Sequence, residues 1–376
     1  MDSANFIPFY KPYISNTNID LLECLDNAKA KELESKFSDM FNIKYSLSTM
    51  SGTSALHLAM CAIDLKRGDK VICSVNAYVD VPEVVRHFDA EPIFVDCDAQ
   101  SYMIDLKKLE AVLKEHKNKK LRAVILNHMG VDGFDLDKLY SLAKEYDVKI
   151  IEDATDAMGS KYNGKFLGST DADITIFSFA PHVYKDFISG GMFTTNNQEL
   201  FERAKLLRNH GILKQCDESE CEVNYLYDTV DIGWRYAMND IVASVCLDRL
   251  ETNEAQKSRR HEIASKYAQS FKNLKQVRVI TNIEHDHILY FFVEIDKNRD
   301  HFARELKHSG VEVGLHYMPL HLTDYYRKKY SLRVFDFPAA LGIYQKTLCL
   351  PLYAGLRDDE VDHVIEAVEK IANSYI

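Results

Sequence analysis

Short apolar runs alternate with longer amphipathic segments along the first 210 residues of the chain. The apolar runs predict strands at Tyr45–Thr49, Val71–Cys73, Pro92–Asp96, Arg122–Asn127, Val148–Ile151 and Ile174–Phe179, with a further apolar run after Gly190 and Gly191. The amphipathic segments predict helices at Ile19–Ile43, Ala55–Ile63, Val81–His87, Asp105–His116, Leu136–Glu145 and Glu199–His210. Because strands and helices alternate at this spacing, the sequence predicts βαβ units and a mostly parallel sheet.

The last third of the chain has a different pattern, in which a long charged helix precedes a second group of strands. The pattern predicts one helix from Asp240 to about Phe271, strands at Val277–Thr281, Ile288–Ile295 and Val311–Leu315, and helices at Arg299–Ser309 and Asp358–Tyr375. A polar loop is predicted at Cys216–Val230, and an extended arm at Phe6–Ile14. The sequence therefore predicts a large domain over residues 1–245, including the arm, and a smaller α+β domain over residues 246–376.

Composition narrows the class of protein. Apolar residues make up 46% and charged residues 27% of the chain, as in ordinary soluble proteins, and the net charge of −11 argues against binding to nucleic acids or anionic membranes. No apolar run is long enough to span a membrane, and the N-terminus does not resemble a secretory signal. The eight cysteines are scattered, which favours reduced thiols in a cytoplasmic protein. A metal site is not expected, although Cys216 and Cys221 bracket an acidic loop.

Polar and small residues follow several predicted strands, where parallel sheets bind their ligands. These residues are Gly52 and Thr53, Tyr78, His128, Asp153, and Ser178. Their shared position at strand ends predicts one ligand site at the carboxyl edge of the sheet.

An acid at the end of one strand and a lysine beyond the next suit pyridoxal-phosphate chemistry. The strand Val148–Ile151 leads into Glu152 and Asp153, and Lys185 lies in a later polar turn. In such enzymes an acid keeps the pyridine nitrogen protonated, and a lysine forms a Schiff base. The turn Ser51–Ser54 opens a helix and suits a phosphate. The alternative is that the acids and the turn only cap helices and that Lys185 is solvated.

The order of motifs along the chain resembles that of the pyridoxal-phosphate sugar aminotransferases of the StrS/DegT type. The motifs are FIPFYKPYI, SGTSALHLAM, VICSVNAYVDVPEVV, FVDCDAQSYMIDLKKLE, IIEDATDAMGSKYNGKFLGS, TIFSFAP, SGGMFTTN, LLRNHGI, DIGWRYAMNDIVAS, HYMPLHLTDYYRKKY and LCLPLYAGL. Because they run in the family's order, the resemblance covers nearly the whole chain. It implies an α/β protein of fold type I, the aspartate-aminotransferase fold. In that fold a large, mostly parallel mixed sheet flanked by helices joins a smaller C-terminal α+β domain. Pyridoxal 5′-phosphate is the implied cofactor.

The resemblance also implies roles for single residues in binding the cofactor. Gly52 and Thr53 match the phosphate-binding turn, and Ser178 matches a serine that touches the phosphate. Tyr78 matches the aromatic residue that stacks on the pyridine ring, and Asp153 matches the acid on the ring nitrogen.

The remaining implied site residues lie near the ring hydroxyl, at the subunit interface and in the substrate pocket. Asp156 stands where the family has a polar residue near the ring hydroxyl. Arg235 stands where the family has an asparagine that reaches the phosphate in the neighbouring subunit. His316, Tyr317 and His321 are the implied substrate-binding residues. A homodimer with shared active sites is therefore expected.

The chain departs from the family at the position of the Schiff-base lysine. That lysine stands five positions after the serine, where this chain has Val183; Lys185 follows two positions later and His182 stands one position before. Sugar 3-dehydratases of the family carry a histidine in place of the lysine. Two catalytic assignments therefore stay open, Lys185 as the covalent partner or His182 as a base without one. A second departure is Ala237, where the family has an arginine.

Three functions are consistent with these residues. The favoured one is an aminotransferase of aminosugar and polysaccharide biosynthesis, which moves an amino group from glutamate to a keto group of a nucleotide-linked (deoxy)sugar. The alternatives are a deoxysugar 3-dehydratase that lacks the Schiff-base lysine and a non-catalytic binder of cofactor or sugar nucleotide.

Overall fold

The computed structural model describes residues 6–11, 28–117, 120–129, 133–180, 189–214, 226–284, 287–315 and 317–374. Its helices are α1 (Ala28–Phe41), α2 (Gly52–Ala62), α3 (Asp80–Arg86), α4 (Leu106–His116), α5 (Leu136–Tyr146), α6 (Gln198–Leu207), α7 (Asp240–Glu251), α8 (Asn253–Phe271), α9 (Arg299–His308), α10 (Asp324–Lys329), α11 (Pro338–Lys346) and α12 (Asp358–Ser374). Its strands are β1 (Tyr45–Thr49), β2 (Lys70–Ser74), β3 (Glu91–Val95), β4 (Leu121–Asn127), β5 (Lys149–Asp153), β6 (Lys161–Tyr162), β7 (Lys165–Phe166), β8 (Ile174–Ser178), β9 (Gly191–Thr195), β10 (Ile212–Lys214), β11 (Tyr227–Thr229), β12 (Val277–Val279), β13 (Phe291–Ile295) and β14 (Thr347–Leu350).

Seven strands form the main sheet, in the order β1-β9-β8-β5-β4-β2-β3. Strands β8, β5, β4, β2 and β3 are parallel to their neighbours in this series, whereas β9 is antiparallel to both β1 and β8. Strand β8 is buried along its whole length, as expected for a strand covered on both faces, and it therefore reads as a continuous apolar run. The prediction of an α/β fold with a mostly parallel mixed sheet is confirmed.

Six strands end at one edge of the sheet, and predicted site residues lie at the ends of five of them. Strands β2, β4, β5 and β8 run in the same direction, and β1 shares that direction because it and β8 are both antiparallel to β9. The predicted site residues follow the ends of these strands, so the carboxyl edge of the sheet is where they meet.

A second hydrophobic cluster lies in the carboxyl-terminal part of the chain. Strands β12, β13 and β14 form an antiparallel sheet, and helices α8, α9 and α12 pack with it. Its large buried side chains include Tyr267, Phe271, Phe291 and Phe302. The division into a large domain and a small carboxyl-terminal domain, with its boundary between residues 245 and 246, stays a prediction.

The long helix predicted from Asp240 to Phe271 is wrong in one respect, because it is two helices. Helix α7 ends at Glu251 and α8 begins at Asn253. Between them, Thr252 has φ −90° and ψ −1°, and its hydroxyl donates to the carbonyl of Asp248 over 2.8 Å. A threonine hydroxyl that bonds to the carbonyl four residues earlier commonly bends a helix.

The strand predicted at Val311–Leu315 is also wrong. This segment makes only isolated bridges, from Val311 to Ile7 and from Gly314 to Cys349, and the third strand of the small sheet is β14 instead. One end of the segment pairs with the arm and the other end pairs with β14, and neither pairing extends beyond a single bridge.

The amino-terminal arm contacts the same chain. Ile7 is buried in the carboxyl-terminal cluster, and the backbone N–H of Phe9 donates to the carboxylate of Glu312 over 3.0 Å. A Cβ on Gly314 would lie 2.4 Å from the ring of Phe9, so a glycine is needed beneath that ring. Residues 6–11 of the predicted extended arm therefore pack against their own chain.

The polar loop predicted at Cys216–Val230 contains a strand. Residues Tyr227–Thr229 form β11, which pairs with β10, and both the loop cysteines lie outside the described residues. All three residues of β11 are exposed, so the strand shows no apolar alternation in the sequence. The prediction of an uninterrupted loop is wrong there.

Two further observations bear on the class of protein. The described cysteines, Cys61, Cys73, Cys97, Cys246 and Cys349, are all free and buried. No helix in the described ranges combines the length and the apolar character that crossing a membrane requires.

Candidate active site

The predicted phosphate turn lies at the start of α2 and touches the end of β8. Ser51 caps the helix, and its side chain and that of Ser54 form a reciprocal capping box. A Cβ on Gly52 would lie 3.1 Å from Cβ of Ser178 and 3.1 Å from Cγ2 of Thr155. Glycine therefore lets the helix start approach the strand end closely, and it brings two predicted phosphate residues together.

Thr53 has a partner that the sequence analysis missed. Its hydroxyl donates to Oδ2 of Asp80 over 2.7 Å. Asp80 is the first residue of α3, two positions after Tyr78, and its acid side chain in a strand-to-helix turn was the signal that could have revealed it. The turn therefore carries an acid beside the hydroxyl predicted to bind phosphate.

Glu152 and Asp153 are the last two residues of β5, and their side chains contact different partners. Asp153 is buried, and its Oδ1 accepts the backbone N–H of Thr155 over 3.2 Å. Glu152 is fully buried, accepts a hydrogen bond from Tyr140, and has its Oε2 3.3 Å from Nε2 of His128. Successive residues of a strand point to opposite faces of the sheet, so the side chains of Glu152 and Asp153 lie on different faces. Glu152 and His128 therefore form a structural network.

Asp156 connects the strand edge to the carboxyl-terminal third of the chain. Its Oδ1 accepts from the hydroxyl of Tyr290 and its Oδ2 from that of Tyr317, each over 2.9 Å. The ring of Tyr317 lies 5.3 Å from that of Tyr78, centre to centre. Thus the structure places two predicted site tyrosines side by side, and it adds Tyr290, which the sequence analysis did not single out.

Three carboxyls at this edge hold protons more tightly than ordinary acids. Burial raises the pKa of Asp80 to about 7, with a further contribution from the charge of Asp153. Burial and the charge of Asp153 likewise raise the pKa of Asp156 to about 7, against the opposing effect of its tyrosine partners. The pKa of Asp153 is raised by burial, although its bonds to Thr155 oppose the shift. The charge of His128 also opposes the rise in the pKa of Asp153.

Arg235 lies in a segment that runs beside the end of β1. The backbone N–H of Met50, the residue after β1, donates to the carbonyl of Tyr236 over 3.0 Å, and Ala237 pairs with Thr49. Arg235 itself is exposed and forms a backbone bridge with Asn209. Its side chain is thus available on the surface near the phosphate turn, as a contact to a neighbouring subunit requires.

His321 occupies an interior position. It is fully buried, its Nε2 lies 3.2 Å from the carbonyl oxygen of Val334, and its ring packs 5.1 Å from that of Phe337. Burial lowers its pKa. Three other predicted site residues, Lys185, His182 and His316, lie outside the described residues.

The sequence and the fold match known aminotransferases. The profile of the DegT/DnrJ/EryC1/StrS aminotransferase family matches residues 23–369. The chain belongs to this family.

Relatives and solved structures agree along the whole length. The uncharacterized protein MJ1066 of Methanocaldococcus jannaschii is 33% identical over 390 residues, covering 99% of each chain. The spore coat polysaccharide biosynthesis protein SpsC of Bacillus subtilis is 30% identical over 385 residues, covering 98% of this chain and 97% of SpsC. The putative sugar aminotransferase Spr1654 of Streptococcus pneumoniae, in its PMP form, superimposes with a TM-score of 0.85 at 25% identity, covering 97% of this chain and 100% of Spr1654. Its PLP form has also been solved.

These matches confirm four predictions. The family, fold type I, the aminotransferase class and pyridoxal phosphate as the cofactor of the family all agree with the sequence analysis. The chain thus belongs to a sugar aminotransferase family, and its structural neighbours include sugar aminotransferases.

The described residues fit a bound pyridoxal phosphate in most respects. Asp153 is a buried acid suited to a positively charged ring nitrogen, Tyr78 offers an aromatic face, and Gly52 and Ser178 lie together at a helix start. Asp80 is the exception, because a phosphate at this helix start would meet a second acid.

A cavity of about 90 Å³ adjoins the same edge and shares Ser178 and Thr155 with it. Its lining includes Arg249 and Arg260, and Lys11 from the arm. The guanidinium groups also donate to backbone carbonyls, that of Arg249 to Phe179 and that of Arg260 to Ile288. The cavity is thus lined by basic side chains, whereas the carboxyl edge of the sheet carries acidic ones.

Proposed function

We propose that the chain moves an amino group from glutamate to a keto group of a nucleotide-linked sugar, with pyridoxal 5′-phosphate as its cofactor. The observation that carries the proposal is the meeting of Asp153, Tyr78 and the Gly52–Ser178 contact at one sheet edge. Such a combination offers a ring acid, a stacking face and a phosphate turn in one place. Membership in the sugar aminotransferase family supports the same reaction class.

The cofactor, when bound, supplies an electron sink that stabilises negative charge on the reacting carbon. Asp153 would hold the proton on the ring nitrogen, because a buried carboxylate gains stability from a nearby positive charge. Tyr78 would stack on the ring and fix its plane. Asp156, held by Tyr290 and Tyr317, would tie this edge to the carboxyl-terminal third of the chain.

Lys185 is the proposed proton shuttle. In the sequence it is the only lysine between Ser178 and Gly190, and Val183 has no group that can bond covalently or carry a proton. Its amine would move the proton between Cα of the donor and C4′ of the cofactor. His182 is the alternative base, and it would imply a 3-dehydratase.

The proposed substrates are anionic, and the basic cavity suits them. Glutamate carries two carboxylates and a nucleotide-linked sugar carries a diphosphate. Arg249, Arg260 and Lys11 line the cavity beside Ser178, and arginine binds both groups well. The relatives support a sugar acceptor, since Spr1654 is described as a putative sugar aminotransferase and SpsC as a polysaccharide biosynthesis protein. Tyr317, beside Tyr78, is the described substrate-binding candidate nearest this edge, and His316 and His321 remain candidates.

We also propose a cytoplasmic homodimer with shared active sites. The exposed Arg235 near the phosphate turn supports a contact from one subunit to the site of the other, and the free buried thiols support a reducing compartment.

Borohydride reduction of the cofactor-loaded protein, followed by peptide mapping, tests the proposal. A phosphopyridoxyl adduct on Lys185, together with formation of 2-oxoglutarate from glutamate, is the expected result. Lys185→Arg is the matched variant, which keeps the charge and abolishes the adduct. If the cofactor binds and no lysine is labelled, the dehydratase with His182 as its base replaces the transaminase. If the cofactor does not bind, both enzymatic proposals fail.

A further inference from the structure

The hydroxyl of Thr53 already has an acceptor. Thr53 is the second residue of α2, in the turn predicted to bind the cofactor phosphate, and it donates to Oδ2 of Asp80 over 2.7 Å. A threonine hydroxyl has a single hydrogen to donate. A phosphate can take this hydrogen bond only by displacing Asp80.

The carboxyl group of Asp80 also lies at a helix start, and its ionised form carries a negative charge there. The N-terminus of α2 favours negative charge, and the carboxylate of Asp80 reaches it through Thr53. A phosphate at the same position would carry a charge of about −1.5 to −2 at neutral pH. The two anions would therefore compete for the same favourable position and would repel each other.

Among the described residues, the charged groups that act most strongly on Asp80 are acids. Asp153 and Glu83, both acids, act on it electrostatically, while Thr53 and the N–H of Val81 are its hydrogen-bond donors. Ala237, which pairs with Thr49 just before the turn, brings no charge to this place. The conflict between Asp80 and a phosphate is thus local and is not relieved by these neighbours.

We propose that Asp80 is a specificity-determining residue that weakens the hold of this site on the cofactor phosphate. The proposal rests on the proposed function in taking pyridoxal phosphate as the ligand. Asp80 must either give up Thr53 or give up its charge when the phosphate binds. The phosphate group consequently adds less to the affinity for pyridoxal phosphate than it would without Asp80. The cofactor therefore exchanges with solution.

The test compares two ligands that differ only in the phosphate. Dissociation constants of pyridoxal phosphate and of pyridoxal are measured by fluorescence titration for the wild-type chain, Asp80→Asn and Glu83→Gln. The variant Asp80→Asn should bind pyridoxal phosphate about tenfold or more tightly than wild type, and pyridoxal within about twofold, because only the phosphate meets the removed charge. Glu83→Gln removes one charge from the same helix at an exposed position, so it should change neither constant more than about twofold.

A thermal shift with inorganic phosphate separates this inference from the proposed function. Phosphate alone should stabilise Asp80→Asn more than wild type, whether or not pyridoxal phosphate is the natural ligand. If pyridoxal phosphate binds both proteins with an unchanged preference over pyridoxal, the inference is overturned and the proposed function stands. If neither protein binds pyridoxal phosphate but the phosphate shift differs, the proposed function fails and the inference stands. If phosphate stabilises both equally and pyridoxal phosphate binds neither, both fail.

Discussion

Replacing the buried Asp156 by asparagine should make the fold less sensitive to pH. Asp156 lies at the end of the site edge, 4% exposed, between the hydroxyls of Tyr290 and Tyr317. Its pKa is raised from 3.8 to about 7, so the folded chain keeps a proton there that the unfolded chain releases. Stability therefore falls as pH rises from about 4, and the loss is complete above about 7.

The size of the effect follows from that difference in pKa. At about 1.4 kcal/mol per pH unit, the interval from 3.8 to about 7 corresponds to about 4 kcal/mol. The neutral amide of Asp156→Asn can still accept from one tyrosine and donate to the other, but it forfeits the stronger bonds of a carboxylate. At pH 8 the variant should therefore be more stable than wild type by about 1 to 4 kcal/mol.

The measurement is guanidinium unfolding from pH 5 to pH 8, followed by circular dichroism and by the fluorescence of Trp234, the single tryptophan of the chain. The exposed Asp89→Asn is the matched control, because its φ of 53° suits asparagine and its side chain faces solvent. Wild type and control should lose stability with rising pH more steeply than Asp156→Asn. Equal slopes in all three proteins would refute the reasoning.

Three further changes test other parts of the site. Asp153→Asn should nearly abolish turnover with an unchanged circular dichroism spectrum, because the ring nitrogen loses its negative partner, and normal activity in that variant would contradict the assignment. Arg235→Ala should weaken cofactor retention more than folding, with sizing of the wild type expected to show a dimer; an active monomer would count against shared sites. Gly191→Ala should destabilise the chain by roughly 3 kcal/mol, because its Cβ would lie 2.2 Å from the carbonyl oxygen of Ser51. Gly342→Ala is the control, because a Cβ there would meet no atom within 4 Å, and it should not destabilise the chain. Thermal unfolding compares the two variants.

The main sheet could be predicted because its strands are mostly buried and appear as short, largely apolar runs between helices. Strands β1, β2, β4 and β8 have the predicted positions to within a residue or two, and the helices between them show regular apolar spacing. The carboxyl-terminal part was harder for a physical reason. Strand β14 is a short run after a helix, TLCL, and nothing in it distinguishes a strand from the end of that helix.

Long-range partners limited what the sequence could say of the site. The position of Asp153 at a strand end was readable, since strand direction places it at the ligand edge. The bond from Thr53 to Asp80 joins residues 27 positions apart, and that from Tyr290 to Asp156 joins residues 134 positions apart. Such pairs arise from the packing of separate elements, which no local pattern encodes. For the same reason the motif that contains His321 does not reveal that its side chain is interior.

The placement of the arm has a consequence for the order in which the chain can fold during synthesis. The backbone N–H of Phe9 can bond to Glu312 only after the ribosome has added 303 more residues. The bridge between Ile7 and Val311 needs a similar length of chain. At about 5 to 20 residues per second a ribosome needs roughly 15 to 60 s to make that interval. During this time the strands of the main sheet are complete, while Ile7 and Phe9 do not yet have their native partners, so the arm can reach its place only late in folding.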